Sequence, residues 1–523
     1  MKLQLHYFKR ATTHYKAKFL ASLFCALFCA VLSVTIPVIL KKLLQALPTA
    51  PVSQLLTLGA LIATCIVLSI LATILLYISL DSFGGLFIKD LQARLRGKLL
   101  SCDQSYIDTL GTQRLSHILY TDTLEVFRVI GHHFPQLIAS ALIIVGTLGL
   151  SLTGSKYIAL YLLVSVCMGI AVSMVSRRAI FKASSQTNAR LKQIHEITNQ
   201  FTQTLLSAKA NCQGSYYEHK FDTAIETFIE TSKQEDKRVY LFSGLTNNFN
   251  LVVEILLSIL VSIPLSGRSI PNYAFYVFIF SLTMKQAEKI EGLLQQIIRS
   301  EICFKNIEEV LCLDCPAREI ELKRIDNLCL DKVTFGYDSE MVLSNYSLCL
   351  KSGEYLFLKG ENGYGKSTIL KLIRGLYRAK SGTVSLNNID INDVSLESLH
   401  KNILYIGQDE VILNETPLEY LIEVCKPILT LNELEASEIL AQVGIKDINS
   451  LIVDNGQSLS GGQRKKLLFA KLIALSEKAS VILIDELHSG LDVQTKAKLD
   501  SFIKALIERK DKIVVVVTHE ADK

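Results

Sequence analysis

The chain has almost no excess charge of either sign. Its 523 residues carry 55 lysines and arginines against 50 aspartates and glutamates, a formal net charge of +5. That is far from the basic surplus of a nucleic-acid binder, so no nucleic acid is expected as a partner. Cysteine is thin as well: twelve residues in 523 are too dilute for a disulfide scaffold. Cys25, Cys29, Cys65 and Cys167 sit in apolar runs and read as small hydrophobes, and the soluble part reads as cytosolic and reduced. Cys312 and Cys315 make a lone C-x-x-C, without the second pair or nearby His that a metal or redox site needs. No internal repeat and no low-complexity segment is evident. What is plentiful is apolar surface: 50% hydrophobic residues, 20% charged and a mean hydropathy of +0.33. That excludes a disordered chain and weighs against a purely soluble one.

The apolar residues are concentrated in the first half. Phe19–Leu40 holds no charge and is long enough to cross a bilayer, as is Leu55–Leu80. Phe134–Leu152, Tyr157–Val175 and Val239–Leu265 follow, and a sixth run begins near Asn272. The pattern predicts six spanning helices over residues 1–300. The first run is expected to be retained rather than cleaved, because Pro37 and Lys41–Lys42 follow it in place of a small-residue cleavage site.

Lys2, Lys9, Arg10, Lys16 and Lys18 precede the first run, and Arg177, Arg178 and Lys182 follow the fourth. By the bias of basic residues toward the inner side, both termini face the cytoplasm of a plasma-membrane protein. The two inner connections, from about Ser79 to His133 and from Ser176 to Arg238, are long and read as helical. Folded into two legs at 1.5 Å per residue, each reaches about 40 Å beyond the membrane. The turns are expected near Thr109–Asp122 and Gln213–Phe221, where they could touch a cytoplasmic domain; a self-contained helical domain is the alternative.

The last two spans are unusual. Tyr273–Met284 ends at Lys285, Glu288 and Lys289, too early to cross hydrocarbon alone, so its inner half should face protein or water. The fifth carries Asn247, Asn248, Asn250 and Glu254, and a carboxylate at that depth faces a cavity or a partner. A wet substrate cavity and a structural Glu254–Lys285 pairing or simple helix contact both account for it.

Residues 301–325 read as a linker and 326–523 as an α/β domain. After strand-like Leu328–Phe335, Met341–Leu350 and Tyr355–Lys359 stands Gly360-Glu361-Asn362-Gly363-Tyr364-Gly365-Lys366-Ser367, followed by a helix Thr368–Leu376. This is the phosphate loop G-x-x-x-x-G-K-S between strand and helix. Its glycines let backbone amides wrap phosphates, the helix start adds its positive end, Lys366 reaches the β- and γ-phosphates and Ser367 ligates Mg²⁺. Val481-Ile482-Leu483-Ile484-Asp485-Glu486 reads as a buried parallel strand ending where ligands sit in open α/β sheets. There Asp485 would hold Mg²⁺, through water, and Glu486 would accept the proton of the attacking water. Between them, Leu459-Ser460-Gly461-Gly462-Gln463 opens a helical stretch Arg464–Leu475, a second anion-binding helix start. Because the chain already holds a phosphate loop of its own, this one suggests service to a nucleotide held by another copy; plain capping is the alternative.

In order and spacing over about 200 residues, Gly360–Ser367, Leu459–Gln463, Ile482–Glu486, Ser489-Gly490-Leu491-Asp492 and His519 resemble the ATP-binding cassette family. With six spans ahead of the cassette, the whole chain resembles an exporter-type half-transporter. The resemblance implies a membrane all-α six-helix domain joined to an α/β P-loop cassette, with ATP and Mg²⁺ as cofactors. It implies that Tyr337 stacks on adenine, that Gly360, Asn362, Gly363, Gly365, Lys366, Ser367 and Thr368 hold the phosphates, and that Gln408 contacts Mg²⁺ and couples to the membrane domain. Ser460, Gly461, Gly462 and Gln463 would touch the γ-phosphate of the partner's ATP, Asp492 would lie in the loop crossing the dimer interface, and His519 would hold the γ-phosphate and attacking water. With Glu486 and His519 both present, the site is expected to hydrolyse.

There are departures. Val453-Asp454-Asn455-Gly456-Gln457-Ser458 lacks the Glu that exporters often carry there, and only four residues follow His519. Arg464-Lys465-Lys466 and Gly375-Leu376-Tyr377 are similar to the subgroup that exports cyclic or modified peptides. The expectation is an ATP-driven exporter of a peptide or other amphipathic molecule, working in the bilayer as a homodimer, or as a heterodimer with a second half-transporter. A lipid or lipid-linked sugar flippase and a non-transporting sensory ATPase are the alternatives.

Overall fold

The protein is represented by a computed structural model, which describes residues 2–154, 156–262, 270–313, 318–337, 340–361, 363–407, 410–453, 456 and 458–518. It divides into two compact units, one of residues 1–96 and 116–312, the other of 97–115 and 313–523.

The first unit is helical: α1 (Lys2–His14), α2 (Lys16–Ala46), α3 (Val52–Ser101), then past α4 (Gln104–Leu110) and α5 (Thr112–His117), a π-helical turn Ile118–Asp122, α6 (Thr123–Phe127), a second π turn Arg128–His133, α7 (Phe134–Gly154), α8 (Lys156–Ala210), α9 (Gly214–Ser262), α10 (Ile270–Arg299) and α11 (Glu301–Leu311). Each of the six apolar runs falls within one of α2, α3, α7, α8, α9 and α10, although residues 263–269, at the end of the fifth, lie outside the described ones. By length and composition alone, three described stretches pass as candidate spans: Lys16–Ala46, Val52–Ser101 and Arg114–Thr153. The long connections carry the spanning helices onward, broken at 102–103 and 111 in the first and at 211–213 in the second. At 55 residues, α8 is about 80 Å long.

Small residues set the helix packing. Ala26, Cys29 and Leu32 of α2 close on Ala72, Leu76 and Leu80 of α3 and on Ala139 of α7, as expected where backbones approach closely. At Gly84 on α3 an added Cβ would stand 2.9 Å from the Cα of Gly131, so nothing larger than hydrogen fits that crossing. The short sixth run behaves as its length requires: Phe275, Tyr276, Ile279, Phe280 and Met284 are buried against Ile144, Leu162 and Val166. Beside them the fully buried Thr283 donates to Thr147 across 2.9 Å. The side chain of Glu254, and with it the proposed pairing to Lys285, lies outside the described residues.

Three expectations are sharpened or corrected. The first turn begins earlier than Thr109–Asp122, where α3 ends at Ser101, and closes through α4 at Gly111, φ 75°, inside that stretch; Asp122 is already helical. The second lies at 211–213, meeting the expected stretch Gln213–Phe221 at Gln213, with Cys212 in the left-handed region at φ 54°. Residues 301–311, expected as linker, form α11, which buries Phe304, Ile307 and Val310.

The second unit holds two sheets. β1 (Asn327–Tyr337), β2 (Glu340–Lys351), β4 (Ser381–Leu386) and β5 (Ile389–Asp390) form an antiparallel sheet in the order β2-β1-β4-β5; β3 (Tyr355–Leu358), β6 (Ile403–Ile406), β7 (Val481–Asp485) and β8 (Ile513–Val517) form a parallel one in the order β3-β8-β7-β6. Every residue of β7 and β8 is buried, as a parallel sheet covered on both faces demands. Helices α12 (Lys366–Ile373), α13 (Leu396–Asn402), α14 (Pro417–Cys425), α15 (Glu433–Gln442), α16 (Gly461–Ser476) and α17 (Val493–Glu508) complete the unit. The reading of all soluble cysteines as reduced is also corrected. Cys329 and Cys349 are register partners on β1 and β2, with Cα atoms 4.2 Å apart, and are disulfide-bonded.

Candidate functional site

β3 delivers the chain into the phosphate loop and α12 takes it out. Gly365 occupies the N-cap of α12 at φ +80°, where an added Cβ would meet Val342 and Leu343 at 2.9 and 3.0 Å. Both the left-handed backbone and the missing side chain are therefore required there. Gly363, at φ +87°, has open space on its Cβ side, leaving the backbone approachable. The Lys366 ammonium is buried and spans the loop, donating to the carbonyls of Gly360 at 2.7 Å and Glu361 at 3.0 Å. A buried cation bonded to the carbonyls of a loop that runs into a helix N-terminus is an arrangement that can take a polyphosphate.

β7 brings Asp485 and Glu486 to the same place. Asp485 is 3% exposed and its Oδ1 has no hydrogen-bond partner. Burial pushes its carboxyl above the ordinary range, against the hydroxyl of Ser367, which bonds to it and lowers it, while the neighbouring Glu486 charge raises it. A buried, orphaned carboxylate oxygen beside a serine hydroxyl at a phosphate loop is a donor set that suits Mg²⁺. Glu486 follows in the left-handed region at φ 51°, so its side chain departs from the strand direction followed by Asp485. Backbone strain of that kind at a non-glycine residue is concentrated at functional sites.

Tyr337 ends β1 beside this cluster. Its hydroxyl lies 3.3 Å from the Thr368 hydroxyl on α12, and its ring stands edge-on to Phe335 and Tyr377 at 5.1 and 5.5 Å. Thus Tyr337, Lys366, Ser367, Thr368, Asp485 and Glu486 gather around the start of α12.

The second anion-binding segment forms a different group. Ser460 caps α16 through a capping box with Gln463: the Gln463 amide donates to the serine oxygen at 3.2 Å and the Ser460 amide donates to the glutamine oxygen at 2.8 Å. Ser460, Gly461 and Gln463 are exposed, and Gly462 approaches the carbonyl of Gly490 closely enough that an added Cβ would lie 3.3 Å from it. Asp492 caps α17, accepting from the Thr495 amide at 2.8 Å, and pairs with Lys466 at 2.7 Å. The Lys466 ammonium holds the Asp492 carboxyl far below the ordinary range. Asn362, Gln408 and His519 lie outside the described residues.

Sequence reasoning missed one group of this unit. Asp103, just ahead of α4, is 5% exposed and sits between Arg318, at 2.9 Å, and Arg378, at 2.8 Å. The Tyr377 hydroxyl donates to Asp108 at 2.6 Å, and the Gln104 amide donates to the Leu376 carbonyl at 3.0 Å. No sequence spacing joins residues 103–108 to 318 and 375–378, so only the fold reveals this seat.

Comparison with known proteins agrees with both halves. The family described as "ABC transporter transmembrane region" matches residues 19–286, just over half of the chain, and that described as "ABC transporter" matches 343–489. The chain is 23% identical over 455 residues to the ATP-dependent lipid A-core flippase 2 of Colwellia psychrerythraea, covering 81% of this chain and 74% of the relative. It is 26% identical over 438 residues to the ATP-dependent lipid A-core flippase of Aliivibrio fischeri, covering 79% and 73%. It is 28% identical over 311 residues to the probable ABC transporter ATP-binding/permease protein of Haemophilus influenzae, covering 56% and 54%.

Proposed function

Because the chain belongs to the ABC transporter family, as an ATP-driven exporter of the half-transporter kind, we propose that it works as a homodimer with two composite ATP sites. In each site one chain supplies Tyr337, the phosphate loop Gly360–Thr368, Asp485 and Glu486, and its partner supplies Ser460–Gln463. The observation that carries this reading is the exposure of the capped start of α16: an anion-binding helix end facing solvent has its donors available to a second molecule. Lys366 and the loop amides bind and orient the phosphates, Tyr337 stacks on the base, and Glu486 takes the proton from the attacking water. Ser367 and Asp485 would hold Mg²⁺, which neutralises charge on the phosphate oxygens.

The composite site has a direct test. A Lys366→Ala chain and a Ser460→Arg chain are each expected to be inactive alone. Coexpressed, half of the dimers contain one of each, and each such dimer retains one intact site of two, so about a quarter of wild-type turnover returns. Absence of any recovery overturns the shared site. For the metal, Asp485→Asn is expected to raise the Mg²⁺ concentration for half-maximal turnover by about 10-fold or more, read from a magnesium titration of ATPase rate.

For the cargo we favour an amphipathic lipid or lipid-linked molecule, supported by two relatives that carry the name lipid A-core flippase and align over most of the chain. ATP-dependent movement of a labelled lipid across vesicles holding the purified protein supports it. Movement of a labelled peptide and not of lipid replaces it with peptide export.

A further inference from the structure

A cleft with room for about 100 Å³ of water opens beside α1, lined by Arg10, His14 and Tyr15 at the α1–α2 junction, by Asp90 and Arg94 of α3, and by Leu311 of α11. Buried Phe87 and Leu91 also line it. None of these residues belongs to the nucleotide site.

Its depth can be read from neighbouring contacts. The first apolar run begins at Phe19, whose ring lies 5.6 Å from that of Phe83 on α3, and the Tyr15 hydroxyl donates to the Leu86 carbonyl at 3.3 Å. The edge of the hydrocarbon therefore falls near residues 83–86 of α3. Phe87 is within one turn past that edge and Arg94 about 12–16 Å past it along the helix. Side chains of a helix lean toward its N-terminus, which for α3 is the membrane side, and arginine stems snorkel further toward the interface. The charged wall of the cleft thus reaches the head-group layer. On the same three helices Leu5 of α1, Leu20 and Phe24 of α2 and Leu86 of α3 are exposed, apolar surface on which acyl chains can lie.

The charge is cationic. Arg94 pairs with Asp90 at 2.7 Å, each about one-third exposed, a bond that engages only part of the five-donor guanidinium fork. Arg10 is exposed and has no ion pair among the described residues. Two forked guanidiniums, a histidine and a tyrosine at head-group depth match a phosphate ester bearing hydrocarbon.

We propose that this cleft binds the phosphate head group of an anionic membrane lipid, held apart from any transported cargo. The site depends only on the protein residing in a membrane, so it stands or falls independently of the composite ATP site. It joins α1 and α3 to the end of α11 at Leu311, and α1 is itself fastened to that end of the bundle: Tyr7 donates to Glu308, and Gln4 bonds Ser300 at 3.0 Å. An occupied cleft would tie together the first and last helices of the membrane unit.

The test uses the full chain in phosphatidylcholine vesicles containing a minority of labelled phosphatidylglycerol, with retention of the labelled lipid after purification as the readout. Wild type is expected to retain it, and Arg10→Gln with Arg94→Gln to retain less by about 5-fold per arginine. ATPase in pure phosphatidylcholine, unchanged in the double variant, shows that it folds. Lys9→Gln with Lys18→Gln removes equal charge from the same flank outside the cleft and is expected to leave retention unaltered. Equal retention by the arginine variant and wild type overturns the site, and so does an equal loss in the lysine variant. Excess inorganic phosphate is expected to leave the lipid in place; displacement by it assigns the cleft to a soluble phosphate and overturns the lipid.

Discussion

Replacing Glu486 by Gln is expected to lower steady-state ATP hydrolysis by at least ~10²-fold, the usual contribution of a positioned general base, while nucleotide binding persists. The substitution keeps the shape of the side chain and removes only its ability to take a proton. The surrounding backbone is well tethered: the Glu486 amide donates to the Val517 carbonyl on β8 at 3.3 Å, and its own carbonyl accepts from the Lys465 ammonium at 3.1 Å. Gln therefore enters an unchanged frame. Lys366→Ala should differ in kind, removing the cation that faces the phosphates and so weakening binding itself. The φ of 51° at Glu486 adds a second readout. A glycine there relieves a left-handed conformation that costs roughly 1–2 kcal/mol in other residues, so Glu486→Gly should lose turnover while the cassette becomes no less resistant to unfolding. Unchanged turnover in Glu486→Gln would show that another group is the base.

The cassette was largely legible because its chemistry is local. A phosphate loop needs Gly365 at one backbone position and Lys366 immediately after it, and a buried strand needs the apolar run Val481–Ile484; both requirements are written over a few consecutive residues. The start of α16 was equally readable, since Ser460 and Gln463 form their capping box three residues apart. The first reversal is half legible: Gly111, at φ 75°, marks its far side, while its near side at Ser101–Gln104 carries no Gly or Pro and turns without a local mark. The Cys329–Cys349 bond depends on strand register, and register emerges only when β1 and β2 pair. The buried Asp103 depends on residues more than 200 positions away.

That buried carboxylate yields the other large expectation. Asp103→Ala is expected to uncouple the protein: ATP hydrolysis continues, while ATP-driven movement of the membrane helices falls away. α3 runs unbroken to Ser101, and the residues after it fold with the cassette. They are gripped by the short segment 375–378 that follows α12. Arg318 bonds the Gly375 carbonyl at 3.2 Å as well as Asp103, Leu376 accepts from Gln104, Tyr377 donates to Asp108, and Arg378 closes on Asp103. The same Tyr377 ring stands 5.5 Å from Tyr337, the expected adenine platform, and α12 begins at the phosphate loop. A nucleotide seated on Tyr337 and the phosphate loop would therefore bear from both ends on the segment that holds α4. Removing the Asp103 carboxylate leaves Arg318, whose side chain is 6% exposed, buried without its counter-charge, a loss of about 3–5 kcal/mol for a broken buried pair. A structural defect and a coupling defect are separated by Asp103→Leu with Arg318→Leu, in which both charges leave together and most of the stability returns. Spin labels in the membrane helices and ATPase rate, measured on one sample, give the ratio of movement to hydrolysis. That ratio is expected to stay low in the double variant, because the charged grip is absent although the fold is sound; its full recovery would make Asp103 a packing residue and move the coupling to Tyr377 and Asp108.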